Sequence, residues 1–254
     1  MSFYDTKLPE SAENLSEGDR IRMILSTLSG LGFEISEEQA GRFARYYDML
    51  VEKNKVMNLT RITDFRDALE KHFADSLMIA GYLDMKKVTS ILDLGSGAGF
   101  PGIPLKIMYP DIDVLMIDSV GKKMQFVSDV ISDLGLEGAS AMHVRAEDLA
   151  RDKNYREKYD LCVSRAVANL STLSEYCLPF VKKGGTFAAY KAANCEEEVL
   201  ASGGAVRKLG GGQVKTERFD LFEMGRAIVL CQKLRPTPGI YPRKAGVPAK
   251  SPLA

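Results

Sequence analysis

Tryptophan is absent from this chain, and histidine occurs only twice, at His72 and His143. The four cysteines, Cys162, Cys177, Cys195 and Cys231, form no C-x-x-C pair, and no histidine is spaced to complete a zinc ligand set. They read as reduced thiols, with no metal site expected. Neither sign of charge is in excess, since 34 Lys and Arg face 34 Asp and Glu. No global field draws the protein to nucleic acid or membrane, so a polyanionic partner must be held by a local patch. No stretch approaches the ~18 apolar residues of a membrane helix, and the acidic N-terminus lacks a basic region followed by an apolar run. A soluble, cytoplasmic protein without a secretion signal is expected. No G-x-x-x-x-G-K-[ST] segment occurs, which removes a P-loop.

What is present suits a large core. At 254 residues, with 45% hydrophobic and 27% charged residues, the chain fits one large domain or a domain with an appendage. The ends differ in charge. Residues 1–40 carry Asp5, Glu10, Glu13, Glu17, Asp19, Glu34, Glu37 and Glu38 against Lys7, Arg20 and Arg22. The last segment carries Lys233, Arg235, Arg243, Lys244 and Lys250, no acidic residue, and Pro236, Pro238, Pro242, Pro248 and Pro252. That composition predicts an extended basic tail over 234–254 rather than a helix or central strand.

Helical spacing of Ile21, Ile24, Leu25, Leu28 and Leu31 predicts a helix from Ser16 that stops at Gly32. Ser36 with Gln39 makes a capping box ahead of a second helix, and a third covers roughly 67–81. Residues 1–85 thus read as a helical N-terminal extension. Beyond it, strand-like runs at 88–94, 112–118, 139–144, 159–164, 185–190 and 226–232 alternate with helices near 102–109, 121–134, 169–178 and 194–208, and 213–221 is a further candidate strand. Such alternation predicts an α/β domain over 86–233, a mainly parallel sheet flanked by helices.

The strongest local signal runs from Ile91 through Asp93, Leu94, Gly95, Ser96, Gly97, Ala98, Gly99 and Phe100 to Pro101 and Gly102: a strand, a glycine-rich turn, then a helix with proline in its first turn. Glycine lets the backbone approach a ligand, and the helix N-terminus favours an anionic group. Alone, this indicates a nucleotide-like cofactor. The spacing G-x-G-x-G departs from the dinucleotide fingerprint G-x-G-x-x-G. The second strand ends at Asp118, whose carboxylate is placed to accept from both hydroxyls of an unphosphorylated ribose, with helix capping as the alternative. After the third strand, Val144-Arg145-Ala146-Glu147-Asp148 offers a backbone N–H and a carboxylate to read an adenine edge, against a solvated first-turn role for Glu147.

Several separated segments then resemble one known family. DLGSGAGFPGIPLKI, the IDS strand end, RAED, SRAVANL, MNLTRI, KHFADSL and the terminal YPRKAGVPAKSP closely resemble the small-subunit ribosomal RNA guanine-N7 methyltransferase family (RsmG, once named glucose-inhibited division protein B). The likeness spans about 57–254. It implies a class I methyltransferase with a Rossmann-like, mainly parallel seven-stranded sheet, S-adenosyl-L-methionine as cofactor, and 16S rRNA as substrate, methylated at N7 of one guanine near the decoding site. It places cofactor contacts on Gly95, Phe100, Ala146, Glu147 and Arg165, with Asp118 at the ribose position; Gly97, in the same glycine-rich turn, is a further candidate cofactor contact. One departure is Lys191-Ala192, where many members read lysine-glycine.

The chemistry agrees with the scarcity of histidine. Guanine N7 carries a free lone pair in the ring plane, so no catalytic base is expected and alignment is the enzyme's task. Amine methylation of adenine usually brings [ND]-P-P-[FYW] after the fourth strand, where this chain has Ser164-Arg165-Ala166-Val167, and no cysteine follows a proline as in cytosine-C5 enzymes. Arg165 remains charged and donates hydrogen bonds to a cofactor carboxylate, an RNA phosphate or a guanine edge. Lys191, at a strand's carboxyl end, Arg243 and Lys244 in the tail, and His72 by stacking or bonding are the expected substrate contacts, with Asn58 a weaker one. Five tail cations on single-stranded phosphates would give a salt slope of about −3.5. The competing readings are a class I enzyme acting on a protein or small molecule, and a non-enzymatic RNA-docking scaffold.

Overall fold

The computed structural model describes residues 15–254. Asp5, Lys7, Glu10 and Glu13 of the acidic N-terminus lie outside the described residues. Ser16 accepts from the Asp19 N–H and opens α1 (Glu17–Gly30), which ends where Gly32, at φ +87°, sends its N–H to the Ser29 carbonyl. The Ser36–Gln39 capping box opens α2 (Glu37–Met57), with both reciprocal hydrogen bonds formed. The third helical stretch is composite: α3 (Phe65–Ala68), a π turn at Leu69–Ala74, α4 (Asp75–Leu77) and a 3-10 turn at Met78–Gly81.

Seven strands follow: β1 (Ser90–Leu94), β2 (Asp113–Asp118), β3 (Ala139–His143), β4 (Tyr159–Arg165), β5 (Val181–Ala192), β6 (Gly211–Leu221) and β7 (Met224–Lys233). They form one sheet in the order β3-β2-β1-β4-β5-β7-β6, parallel except for β7, which runs antiparallel to β5 and β6. The connections carry α5 (Gly102–Met108), α6 (Gly121–Asp133), α7 (Ala146–Leu149), α8 (Leu170–Cys177) and α9 (Glu196–Lys208). This is the mainly parallel seven-stranded sheet flanked by helices that the family resemblance implies. Strand order reverses between β1 and β4, and the carboxyl edge at such a switch point is where open α/β sheets bind ligands.

Strand alternation divides the apolar side chains between two layers. Ile91, Val114, Met116, Leu161, Val163, Ala188 and Ile228 face α1, α2, α5 and α6; Leu92, Leu115, Ile117, Cys162, Phe187 and Val229 face α8 and α9. Phe43, Tyr46 and Phe73 are fully buried in the first layer, so the N-terminal helices roof one face of the sheet and share its core. Residue 85 marks a change of pattern within that core. The tail differs from its sequence reading: it contains a short helix, α10 (Val247–Lys250), and Tyr241 and Leu253 pack on the second layer. Its prolines exclude a strand, but its apolar residues between them give it a surface to dock.

Candidate functional site

The loop after β1 is held from three sides. Ile117, at the end of β2, accepts from the N–H groups of Gly95 and Ser96. Beneath the loop Asp93, fully buried, accepts from Ser96 Oγ at 2.6 Å and from the Gly102 N–H at 2.9 Å. Burial pushes the Asp93 carboxyl up to about 6 despite those donors. Above it, Tyr46 of α2 donates to the Ala98 carbonyl at 2.6 Å. Gly95 and Gly97 take φ of +71° and +62°, where a Cβ is disfavoured, and a Cβ on Gly95 would also lie 2.3 Å from Val167 Cγ2.

Two adjoining cavities open at the carboxyl edge, sharing Gly95, Lys123 and Ala166. The first, about 350 Å³, is bordered by Asp118, Val144, Ala146, Glu147, Val167 and Tyr176. Asp118 accepts from the Gly97 N–H at 3.1 Å and from the Val120 N–H at 2.9 Å, one on each oxygen, which leaves a lone pair on each for hydroxyl donors. Glu147 is buried and accepts from the Gly246 N–H at 2.8 Å.

The second cavity, about 480 Å³, is bordered by Thr60, Lys71, His72, Phe100, Arg165 and Arg226, with Lys123 at the junction. Among the described residues, four cations and no carboxylate line it, so it attracts an anionic ligand. The Arg165 guanidinium carbon lies 5.1 Å from the Phe100 ring centroid, and His72 stacks on Phe100 at 4.5 Å. Arg165 Nη1 donates to Asp75 Oδ2 at 2.8 Å, while Arg226 Nε and Nη2 donate to the two oxygens of Asp75, each at 2.7 Å. Asp75 is 1% exposed and fixes both guanidinium planes at the cavity wall.

His72 sits in the π turn, a local widening found often at functional sites. Its Nδ1 is 3.2 Å from the Lys71 carbonyl and its Nε2 2.9 Å from Thr60 Oγ1, a pattern that suits the neutral ring with the proton on Nδ1. Burial and then the Arg165 charge lower its pKa to about 4, so it is neutral at physiological pH. Ala166 holds φ +58°, a left-handed conformation unusual for alanine, where it borders both cavities.

The family model described as rRNA small subunit methyltransferase G matches residues 39–221, more than half of the chain. Relatives bearing the name ribosomal RNA small subunit methyltransferase G include that of Exiguobacterium sp. AT1b, 48% identical over 90% of this chain and 97% of its own, and that of Halalkalibacterium halodurans, 48% identical over 88% and 94%. The chain belongs to this family. Family members use S-adenosylmethionine, which is the cofactor of this methyltransferase. Among solved structures, a ribosomal protein L11 methylase from Lactobacillus delbrueckii subsp. bulgaricus superposes with a TM-score of 0.50 at 14% identity, over 65% of this chain and 79% of that one, and shows the shared fold.

The donor set fits this cofactor. Asp118 has lone pairs for two ribose hydroxyls, Ala146 and Glu147 offer an N–H and a carboxylate at the same cavity, and Arg165 offers a cation across the glycine loop. Asp93 Oδ1 is buried without a hydrogen-bond partner under that loop, an acceptor a cationic ligand group or water would satisfy. The residues expected from sequence thus separate. Gly95, Gly97, Phe100, Asp118, Ala146, Glu147, Arg165 and His72 all border the two cavities.

The others do not. Lys191 borders neither cavity: its Nζ bonds the Ala168 carbonyl at 2.9 Å and Glu198 at 2.6 Å. Arg243 is occupied by Glu175, fully buried, through Nε at 2.9 Å and Nη2 at 2.6 Å. Lys244 is exposed, and Asn58 caps α2 at φ 48° outside the cavity lining. Sequence reasoning missed Asp75, Arg226, Lys123, Thr60 and Ala166. Asp75 lies inside KHFADSL and offered a signal; Arg226 stands in an ordinary strand sequence and offered none.

Proposed function

We propose that this enzyme transfers a methyl group to N7 of a guanine in 16S rRNA near the decoding site, in the cytoplasm. One observation carries the reading: a carboxylate-bearing cavity suited to adenosine and a cation-lined cavity suited to a nucleotide meet at Gly95, Lys123 and Ala166. Bound, S-adenosylmethionine supplies an electrophilic sulfonium methyl. Asp118, Ala146 and Glu147 hold its adenosine half, and the glycine loop lets the backbone run beneath it. Arg165 and Arg226, held rigid by Asp75, receive phosphate or the guanine edge with donors that need no reorganisation. His72, neutral and stacked on Phe100, extends an aromatic surface toward the acceptor base and takes no proton. N7 attacks with its own lone pair, and catalysis is alignment in a site that supplies no base.

No helix among the described residues is long and apolar enough to cross a membrane, which accords with a ribosomal substrate. The test is methyl incorporation into 16S rRNA from cells lacking the gene, mapped by strand cleavage at N7-methylguanine. One cleavage site near the decoding region supports the reading; label elsewhere, or none, defeats it.

A further inference from the structure

The C-terminal segment, which composition alone marks as an arm for RNA, is bound along its length to α7, α8 and the loop between α7 and β4. Arg156 donates through Nη1 to the Tyr241 carbonyl at 3.0 Å and through Nη2 to that of Thr237 at 2.8 Å. Arg151 reaches the Pro242 carbonyl at 2.6 Å. Arg243 then closes on Glu175 of α8 with its backbone N–H, Nε and Nη2, and also holds the Ser251 carbonyl at 2.8 Å. Thr172 Oγ1 donates to the Pro248 carbonyl at 3.1 Å. Between these anchors, Gly246 turns at φ +81° and delivers its N–H to Glu147 at 2.8 Å.

Glu147 borders the adenosine cavity beside Ala146, and Tyr176, next to the buried Glu175, borders it too. Its helix, α7, has only four residues and no side-chain cap, so it cannot hold Glu147 by itself. A buried carboxylate needs a donor to stay in place, and the tail provides one. Lys233, counted among the tail cations by sequence, is fully buried against the Leu178 carbonyl and Thr237. With Arg243 committed as well, two of the five cations are withdrawn from any phosphate.

We propose that residues 237–254 brace the cofactor site from behind its lining: the Gly246 N–H, anchored through the Arg243–Glu175 pair, positions Glu147 for the adenosine half of S-adenosylmethionine. Gly246 and Arg243 are positioning residues, acting through Glu147. The proposal rests on the reading that Glu147 borders bound adenosine. It separates tail function from RNA affinity, and it makes the tail and the cofactor thermodynamically linked, each stabilising the other's bound state.

The test uses the full chain. Gly246→Pro removes the N–H and, because proline fixes φ near about −65°, also the left-handed turn at φ +81°; Gly246→Ala retains the N–H with a Cβ that meets nothing within 4 Å but is disfavoured at that φ; Lys244→Ala removes an exposed cation only. S-adenosylhomocysteine affinity is measured by calorimetry, and KM for S-adenosylmethionine, KM for 16S rRNA and kcat by methyl incorporation. Gly246→Pro should weaken S-adenosylhomocysteine about tenfold and raise KM for S-adenosylmethionine similarly, with kcat at saturation and KM for RNA unchanged. Gly246→Ala should stay within about threefold of the parent and Lys244→Ala should not change cofactor affinity. Unaltered affinity in a folded Gly246→Pro, or a loss confined to RNA, overturns the proposal. Hydrogen exchange on the unmodified protein tests it even if Gly246→Pro does not fold: saturating S-adenosylhomocysteine should slow amide exchange across 243–251, and equal rates overturn it. Asp118→Ala separates the two levels. If it abolishes binding while Gly246→Pro does not, the tail proposal fails and the site reading stands; if neither variant matters, both fail.

Discussion

Asp75 joins residues 90 and 151 positions away in the chain, which is why it matters more than its surroundings suggest. Removing one partner of a buried ion pair leaves the others uncompensated, so Asp75→Asn should cost about 3 kcal/mol of stability and lower kcat by loosening Arg165 and Arg226. S-adenosylhomocysteine affinity should change less than kcat; an unchanged kcat in the folded variant would contradict this role. Gly95→Asp should abolish cofactor binding by calorimetry, since a side chain there meets Val167 and brings a negative charge.

The two perturbed groups at the site pull stability in opposite directions with pH. His72 titrates at about 4 when folded and 6.5 in its unperturbed state. Between these values the unfolded chain binds the proton and the folded chain does not, so this term weakens stability as pH falls from 6.5 to 4. Asp93 holds its proton up to about 6 when folded but loses it near 3.8 when unfolded, so its term weakens stability as pH rises through that window. His72→Gln should therefore leave the Asp93 trend exposed: its urea midpoint, relative to the parent, should fall steadily between pH 4 and 6. A constant difference would contradict the buried neutral imidazole. Single-turnover methyl transfer should be flat from about pH 7 to 8.5, because neither group titrates there.

At the scale of elements, the β-strands were legible because buried parallel strands are short apolar runs bounded by turns. The Ser36–Gln39 capping box and Gly32 were legible because caps are local chemistry. The π turn holding His72 was not, because its sequence is that of ordinary helix and a one-residue widening leaves no periodic signal. The short α7 was missed for the same lack of periodicity. Helix α2 reaches the cofactor loop through Tyr46, whose burial beside Phe73 and Phe100 follows from helical spacing but whose hydroxyl bond to the Ala98 carbonyl no pattern announces. Tyr46→Phe leaves the Ala98 carbonyl without its donor and should cost about 1–3 kcal/mol, read as a lowered melting midpoint together with weaker S-adenosylhomocysteine binding. Unchanged cofactor affinity would show that the loop holds its shape without α2.

For the whole molecule, the glycine loop and Asp118 were readable because each stands at a strand end in the order the fold demands, and Arg165 was readable through the family resemblance. The tail was misread because charge and proline content describe a free segment, while docking depends on Glu147, Glu175 and Arg156, which are far away in sequence. With Lys233 and Arg243 engaged, the tail can offer Arg235, Lys244 and Lys250, so replacing these three should flatten the salt dependence of RNA binding by about 2 in slope. An unchanged slope would mean that none of the three meets phosphate. The Lys71, Lys123, Arg165 and Arg226 wall stands closer to the reacting atoms and should dominate RNA affinity.

The arrangement of donor and acceptor cavities around Gly95 is tested most directly by a crystal structure with S-adenosylhomocysteine and a fragment of 16S rRNA. The expected result is ribose on Asp118, adenine beside Ala146 and Glu147, sulfur at Gly95, and a guanine between His72 and Arg165 with N7 facing that sulfur. Adenosine density in the cation-lined cavity, or a guanine presenting another atom to the sulfur, would contradict it.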